Sequence, residues 1–223
     1  MRILTRISFA LNLLVILGLI GLFFSRPALI EGFLGPMIER KVSFFDSFSV
    51  KEGDIVFLGD SITEGGDWYE IFPGTALKNR GIGGDTTTGV LSRLHQITDG
   101  KPSAVFLKIG TNDLTHGPSD RSVSYLQYQT IIQRIQDESP ATRVFLQSVL
   151  PRGVEYREEV EHYNREIQRI ATEQKVEFID LYPHFLAEDG SIRDELSNDE
   201  LHLMGEGYLL WQGLLADHIE SLQ

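Results

Sequence analysis

From Lys51 onward, short apolar runs alternate with longer stretches of helical periodicity. Asp54–Gly59, Ala104–Gly110, Arg143–Leu150 and Val176–Asp180 are dominated by Ile, Val, Leu and Phe, and a shorter run covers Ala76–Asn79. Runs of this length, rich in branched and aromatic side chains, predict buried strands. Between them, Val123, Leu126, Ile131 and Ile135 mark one amphipathic helix and Val160, Tyr163, Ile167 and Ile170 a second. Tyr208, Trp211, Leu214, Leu215 and Ile219 mark a C-terminal one. Strands joined by helical crossovers run parallel and bury both faces of their sheet, which explains why each strand is apolar at nearly every position. The expected fold class is α/β, a three-layer sandwich around a parallel five-stranded sheet over residues 51–223.

The first 50 residues follow another pattern. Ile7 to Phe24 contains no charged residue, with only Ser8 and Asn12 as polar interruptions. As a helix at about 1.5 Å per residue this run measures about 27 Å, close to the hydrocarbon thickness of a bilayer. Arg2 and Arg6 precede it, as expected of a cytoplasmic N-terminus. The run exceeds the usual apolar core of a cleaved leader, and Phe23-Phe24-Ser25-Arg26-Pro27 is a poor cleavage context. Residues 1–26 are therefore expected to be an uncleaved transmembrane helix that holds the rest of the chain outside the cytoplasm, in the periplasm or extracellular space. Cleavage would instead release that domain as a secreted protein. Residues 27–50 form a connector. Leu29, Ile30, Phe33, Leu34, Met37 and Ile38 recur there at helical spacing, and Phe44, Phe45 and Phe48 are expected to cap the domain, the alternative being that the segment lies on the membrane surface or lines an apolar substrate entrance.

Charge narrows the function classes. The net charge of the 223 residues is −12 and the basic residues form no stripe, so nucleic-acid partners are not expected. The chain has no cysteine. Disulfides, thiolate nucleophiles and cysteine metal sites are excluded.

Four segments carry the chemistry: Gly59-Asp60-Ser61, Gly83-Gly84-Asp85, Gly110-Thr111-Asn112-Asp113 and Asp199-Glu200-Leu201-His202. The first three follow predicted strands, and parallel sheets bind ligands beyond their carboxyl ends. Ser61 is a candidate nucleophile, although a lone serine after a strand is commonly a helix N-cap. A hydroxyl needs a base to attack. Of the six histidines, His202 is distinguished by Asp199 three residues before it, just ahead of the predicted C-terminal helix. Asp199 can orient the imidazole and stabilise its charged form. His116, close behind Asn112, is the best alternative, as a substrate contact. The amide of Asn112 and the main-chain N–H groups of Gly84 and Ser61 can donate to an oxyanion. Asp60, Asp85 and Asp113 are expected to shape loops by hydrogen bonding.

The ordered set Ser61, Gly84, Asn112 and His202, with Asp199, resembles the SGNH (GDSL) hydrolase superfamily over residues 51–221. Gly81–Thr87 and Leu201–Tyr208 are especially similar to the catalytic subunits of intracellular platelet-activating-factor acetylhydrolase, which lack an N-terminal apolar span. The resemblance implies a compact flavodoxin-like sheet and serine acyl-enzyme chemistry without metal or cofactor. The expected activity is ester hydrolysis through Ser61, with short acyl groups, acetyl among them, on a lipid or carbohydrate. Acetyl transfer to glycans and a non-catalytic, membrane-tethered binding module are the alternatives. Oligomeric state is not legible in the chain.

Overall fold

The computed structural model describes residue 32, residues 35–115, residue 117 and residues 120–223. Residues 42–223 form one compact unit. Its strands are β1 (Ile55–Gly59), β2 (Leu77–Gly81), β3 (Ala104–Lys108), β4 (Arg143–Gln147) and β5 (Glu177–Ile179). All neighbours pair in parallel, in the order β2-β1-β3-β4-β5. The expected five-stranded parallel sheet is therefore present, and the order is that of a flavodoxin-like doubly wound sheet. Gly59 lies level with Gly81 on one side and Lys108 on the other, so three strands end in register at one edge of the sheet.

Two apolar layers follow from the alternation of side chains along each strand. Val56, Leu58, Val105, Leu107, Val144 and Leu146 face α3 (Thr87–Ser92), α4 (His95–Thr98), α5 (Arg121–Glu138) and α6 (Arg157–Gln174). Ile55, Phe57, Phe106, Phe145 and Ile179 face α1 (Ser61–Glu64), α2 (Trp68–Ile71), α7 (Tyr182–Phe185) and α8 (Gly205–Glu220). In this second layer Phe57, Phe106 and Phe145 stack across three strands, with ring centroids 5.1 and 4.4 Å apart, and Trp68 lies 3.9 Å over Phe57. Each fully buried apolar side chain of this size contributes roughly 1.5–3 kcal/mol relative to exposure.

Two sequence expectations are modified. In α5 the buried face is Ser124, Tyr128, Ile131, Ile132 and Ile135, whereas Val123 and Leu126 are exposed. Ser124 is drawn inward by its hydrogen bond to Asp113, which turns the first half of the helix away from the apolar stripe. Of Phe44, Phe45 and Phe48 only Phe45 is buried, beneath the Arg80 guanidinium at 4.5 Å. Phe44 and Phe48, four residues apart, share the opposite face, exposed and in mutual contact at 4.5 Å. Among the described residues no helix is long and apolar enough to cross a membrane, and the run Ile7–Phe24 lies outside them.

Candidate active site

β1 runs into α1 through Asp60, whose side chain accepts the Ile62 N–H at 3.0 Å and caps the helix. Ser61 is therefore the first helical residue rather than the cap. The turn needs glycine at position 59, because a Cβ there would lie 2.2 Å from the Lys108 carbonyl oxygen and 2.3 Å from Thr63 Oγ1. This holds Ser61 at the carboxyl end of β1, an interior strand of the sheet.

His202 reaches it from a position 141 residues later in the chain. Its Nε2 lies 3.0 Å from Ser61 Oγ, and its Nδ1 lies 2.7 Å from Asp199 Oδ2. The segment before α8 curls around the Asp199 carboxylate, which accepts the main-chain N–H groups of Leu201 at 3.1 Å and His202 at 2.7 Å. Ser197 Oγ also accepts from Leu201, at 3.1 Å. Closing this tight loop puts Glu200 in the left-handed region at φ +60°, a strained conformation for a non-glycine residue. Partial burial disfavours the Asp199 charge, but the hydrogen bonds from His202 outweigh it and hold the carboxyl below its ordinary range. Asp199 thus stays an acceptor, which favours the His202 tautomer carrying its proton on Nδ1 and leaving Nε2 free to accept.

Gly84 and Asn112 line the neighbouring loops. Gly84 adopts φ +78°, which a side chain would strain. The Asn112 amide donates to the Asp85 carbonyl at 2.9 Å, fixing the side chain while its second N–H stays unengaged among the described residues. The main-chain N–H groups of Ser61 and Gly84 likewise have no hydrogen-bond acceptor among them. The structure thus brings Ser61, His202 and Asp199 into one chain of contacts and holds Gly84 and Asn112 on loops tied to each other through Asp85. His116 lies outside the described residues. Of the other histidines, His95 pairs with Asp46 and His218 with Glu177. Among the described residues no cluster of acidic and histidine side chains is placed to hold a metal ion.

The supporting aspartates act as acceptors, as expected. Asp113 receives the Thr87 N–H at 3.0 Å, the Thr87 hydroxyl at 2.6 Å and the Ser124 hydroxyl at 3.0 Å. Asp85 forms a buried ion pair with Arg93 at 2.7 Å. Arg93 also donates to the carbonyls of Gly59 at 3.3 Å and Arg80 at 2.9 Å. One guanidinium therefore ties the ends of β1 and β2 to the loop carrying Gly84. Burial pushes the Asp85 carboxyl up and the Arg93 guanidinium down, and their mutual attraction opposes both shifts. The pair accordingly contributes geometry more than net stability. Sequence reading misses Arg93, because a charged residue beside Leu94 and His95 looks like any exposed helix position.

A profile of the GDSL-like lipase/acylhydrolase family matches residues 57–210, the stretch that contains every residue of this cluster. The chain belongs to this family. The Bos taurus platelet-activating factor acetylhydrolase IB subunit alpha1 is 32% identical over 169 residues, covering 71% of each chain. A solved Streptococcus pneumonia chain, provisionally described as a platelet activating factor, superposes with a TM-score of 0.79. It is 29% identical, over 86% of this chain and 97% of its own. A GDSL-like lipase from Bacteroides thetaiotaomicron shares the fold, with a TM-score of 0.74 at 23% identity over 83% of this chain and 98% of its own. The GDSL chain thus belongs among acylhydrolases and esterases.

In this GDSL chain, replacing Arg93 by Met leaves the Asp85 carboxylate buried and unpaired. Urea unfolding at neutral pH is expected to show a loss of about 3–5 kcal/mol. A loss below about 1 kcal/mol, the size of an ordinary surface substitution, would contradict the bridging role.

Proposed function

We propose that the protein is a serine ester hydrolase acting on short-acyl esters, acetyl esters included, of a lipid or carbohydrate alcohol. The contact chain from Ser61 Oγ through His202 to Asp199, at 3.0 and 2.7 Å, carries this reading. Ser61 Oγ attacks the ester carbonyl carbon while its proton passes to His202 Nε2. Asp199 stabilises the imidazolium that results. The tetrahedral oxyanion is held by the main-chain N–H groups of Ser61 and Gly84 and by the Asn112 amide. The C–O bond then breaks, and His202 returns its proton to the departing alcohol. Water, deprotonated by His202, attacks the acyl-enzyme and releases the acid as Ser61 regains its proton. The acetylhydrolase named above supports a short acyl group.

Hydrolysis of p-nitrophenyl acetate, butyrate and octanoate tests this reading. Turnover is expected to fall with acyl length and to vanish in Ser61→Ala. In Asn112→Ala kcat should drop about 10²–10³-fold, the usual cost of one oxyanion donor. Equal rates for wild type and a folded Ser61→Ala would refute the proposal, and rates rising with acyl length would replace the short acyl group by a fatty one.

We further propose that Ile7–Phe24 anchors the chain in a membrane with residues 51–223 on the extracytoplasmic side. The uncharged apolar run behind Arg2 and Arg6 supports this. The full chain is expected to stay in the membrane pellet after alkaline carbonate washing, and a chain lacking residues 1–26 to be released. Release of the full chain would contradict the anchor.

A further inference from the structure

β3 is apolar until its last residue, Lys108, which is buried along its whole length at 1% exposure. Its register sets it beside Gly59 of β1 and, one step beyond the Leu107–Leu146 pairing, beside Gln147 of β4. It shares a sheet face with Ala104 and Phe106, the face covered by α8. The ammonium lies 5.8 Å from the centre of the Trp211 ring, and the Trp211 indole N–H donates to Gln147 at 2.7 Å. The nearest anion is Asp60, equally buried, with 3.9 Å between Lys108 Nζ and Asp60 Oδ1. Among the described residues neither Lys108 Nζ nor Asp60 Oδ2 has a hydrogen-bonding partner.

A charge pair in this layer has no packing rationale. Its neighbours are Phe57, Phe106, Phe145 and Trp211, and an apolar side chain of lysine's length would fill the same space without desolvating an ammonium. Burial does push the Lys108 ammonium toward its neutral form, with the Asp60 carboxylate pulling the other way. What distinguishes the site is Asp60, which immediately precedes Ser61. The oxygen that faces Lys108 is also the one that accepts the Ile62 N–H and caps α1. From the other side, the Tyr208 hydroxyl of α8 donates to the Ile62 carbonyl at 2.8 Å. Burial, and secondarily the Asp60 charge, push this phenol up to about 12, in keeping with a carboxylate held close by.

We propose that Lys108 is a positioning residue for Ser61, its buried ammonium fixing the Asp60 carboxylate in the orientation that caps α1 and aims the Ser61 hydroxyl and main-chain N–H. This rests on the reading of Ser61 as nucleophile and extends it to a residue that never meets substrate. A shift of about 1 Å in a reacting group costs on the order of 10²-fold in rate, so loosening this turn acts on kcat.

The test is a cycle of Lys108→Met, Asp60→Asn and the double variant. Kinetics on p-nitrophenyl acetate are referenced to active sites counted with an organophosphonate, and each melting temperature is recorded. Lys108→Met is expected to lose about tenfold or more in kcat per titrated site, with KM within about twofold of wild type. Asn at position 60 still caps α1 and carries no charge to strand, so the double variant should recover most of that loss. Wild-type kcat in Lys108→Met with only a lowered melting temperature would reduce Lys108 to a filler of space and overturn the proposal. A double variant slower than either single one would do the same. If Lys108→Met does not fold, the double variant is compared with Asp60→Asn: equal or higher kcat supports the pairing, and about a tenfold lower kcat overturns it. A wild type no faster than Ser61→Ala would overturn the nucleophile and this proposal together, whereas Ser61-dependent wild-type turnover beside a fully active Lys108→Met overturns this proposal alone.

Discussion

The hydrogen bond between Ser61 and His202 joins residues 141 positions apart, and the surrounding fold constrains both of its ends. One end is fixed by the sheet. β1 lies between β2 and β3, which end level with it, and Gly59 turns into α1 in a space too small for any side chain. The other end is fixed by α8, whose Trp211 is fully buried against the phenylalanine layer and whose Tyr208 bonds back to α1. The loop carrying Asp199 and His202 is closed at its base by the Leu196–Met204 hydrogen bond, immediately before α8, and folds around its own carboxylate. Both supports therefore bear on the same contact.

Buried charge is concentrated where the strands end. Arg93 with Asp85 and Lys108 with Asp60 are both desolvated pairs, and apolar substitutes of the same volume would ordinarily be no less stable. Both sit within one residue of a group assigned to the ester chemistry: Asp85 follows Gly84, and Asp60 precedes Ser61. The two differ in strength. Arg93 is held by a short ion pair and two carbonyls, whereas Lys108 approaches a single carboxylate at 3.9 Å. The first is a structural bridge between strands, and the second is the support proposed for the turn that carries Ser61.

The architecture was legible because parallel strands are buried on both faces and therefore read as uninterrupted apolar runs. The four polar segments were legible because glycine, serine, asparagine and aspartate interrupt those runs where the strands end. Less could be read where a polar side chain is buried by a partner distant in sequence. Ser124 displaces the expected apolar face of α5 because Asp113 draws it in. Arg93 and Lys108 resemble surface residues until the register brings Asp85 and Asp60 to them. The split among Phe44, Phe45 and Phe48 likewise depends on where Arg80 lies, which periodicity does not convey. The strand order β2-β1-β3-β4-β5 is a property of the crossovers and leaves no trace in any single element.

The central claim is that Ser61 is the nucleophile and that His202 makes it so. Labelling the folded protein with a fluorophosphonate, followed by peptide mass mapping, tests it most directly. The account predicts one adduct per chain, on Ser61, and its near disappearance in His202→Ala. An adduct on another residue, or labelling of Ser61 that is unchanged without the imidazole, would contradict it.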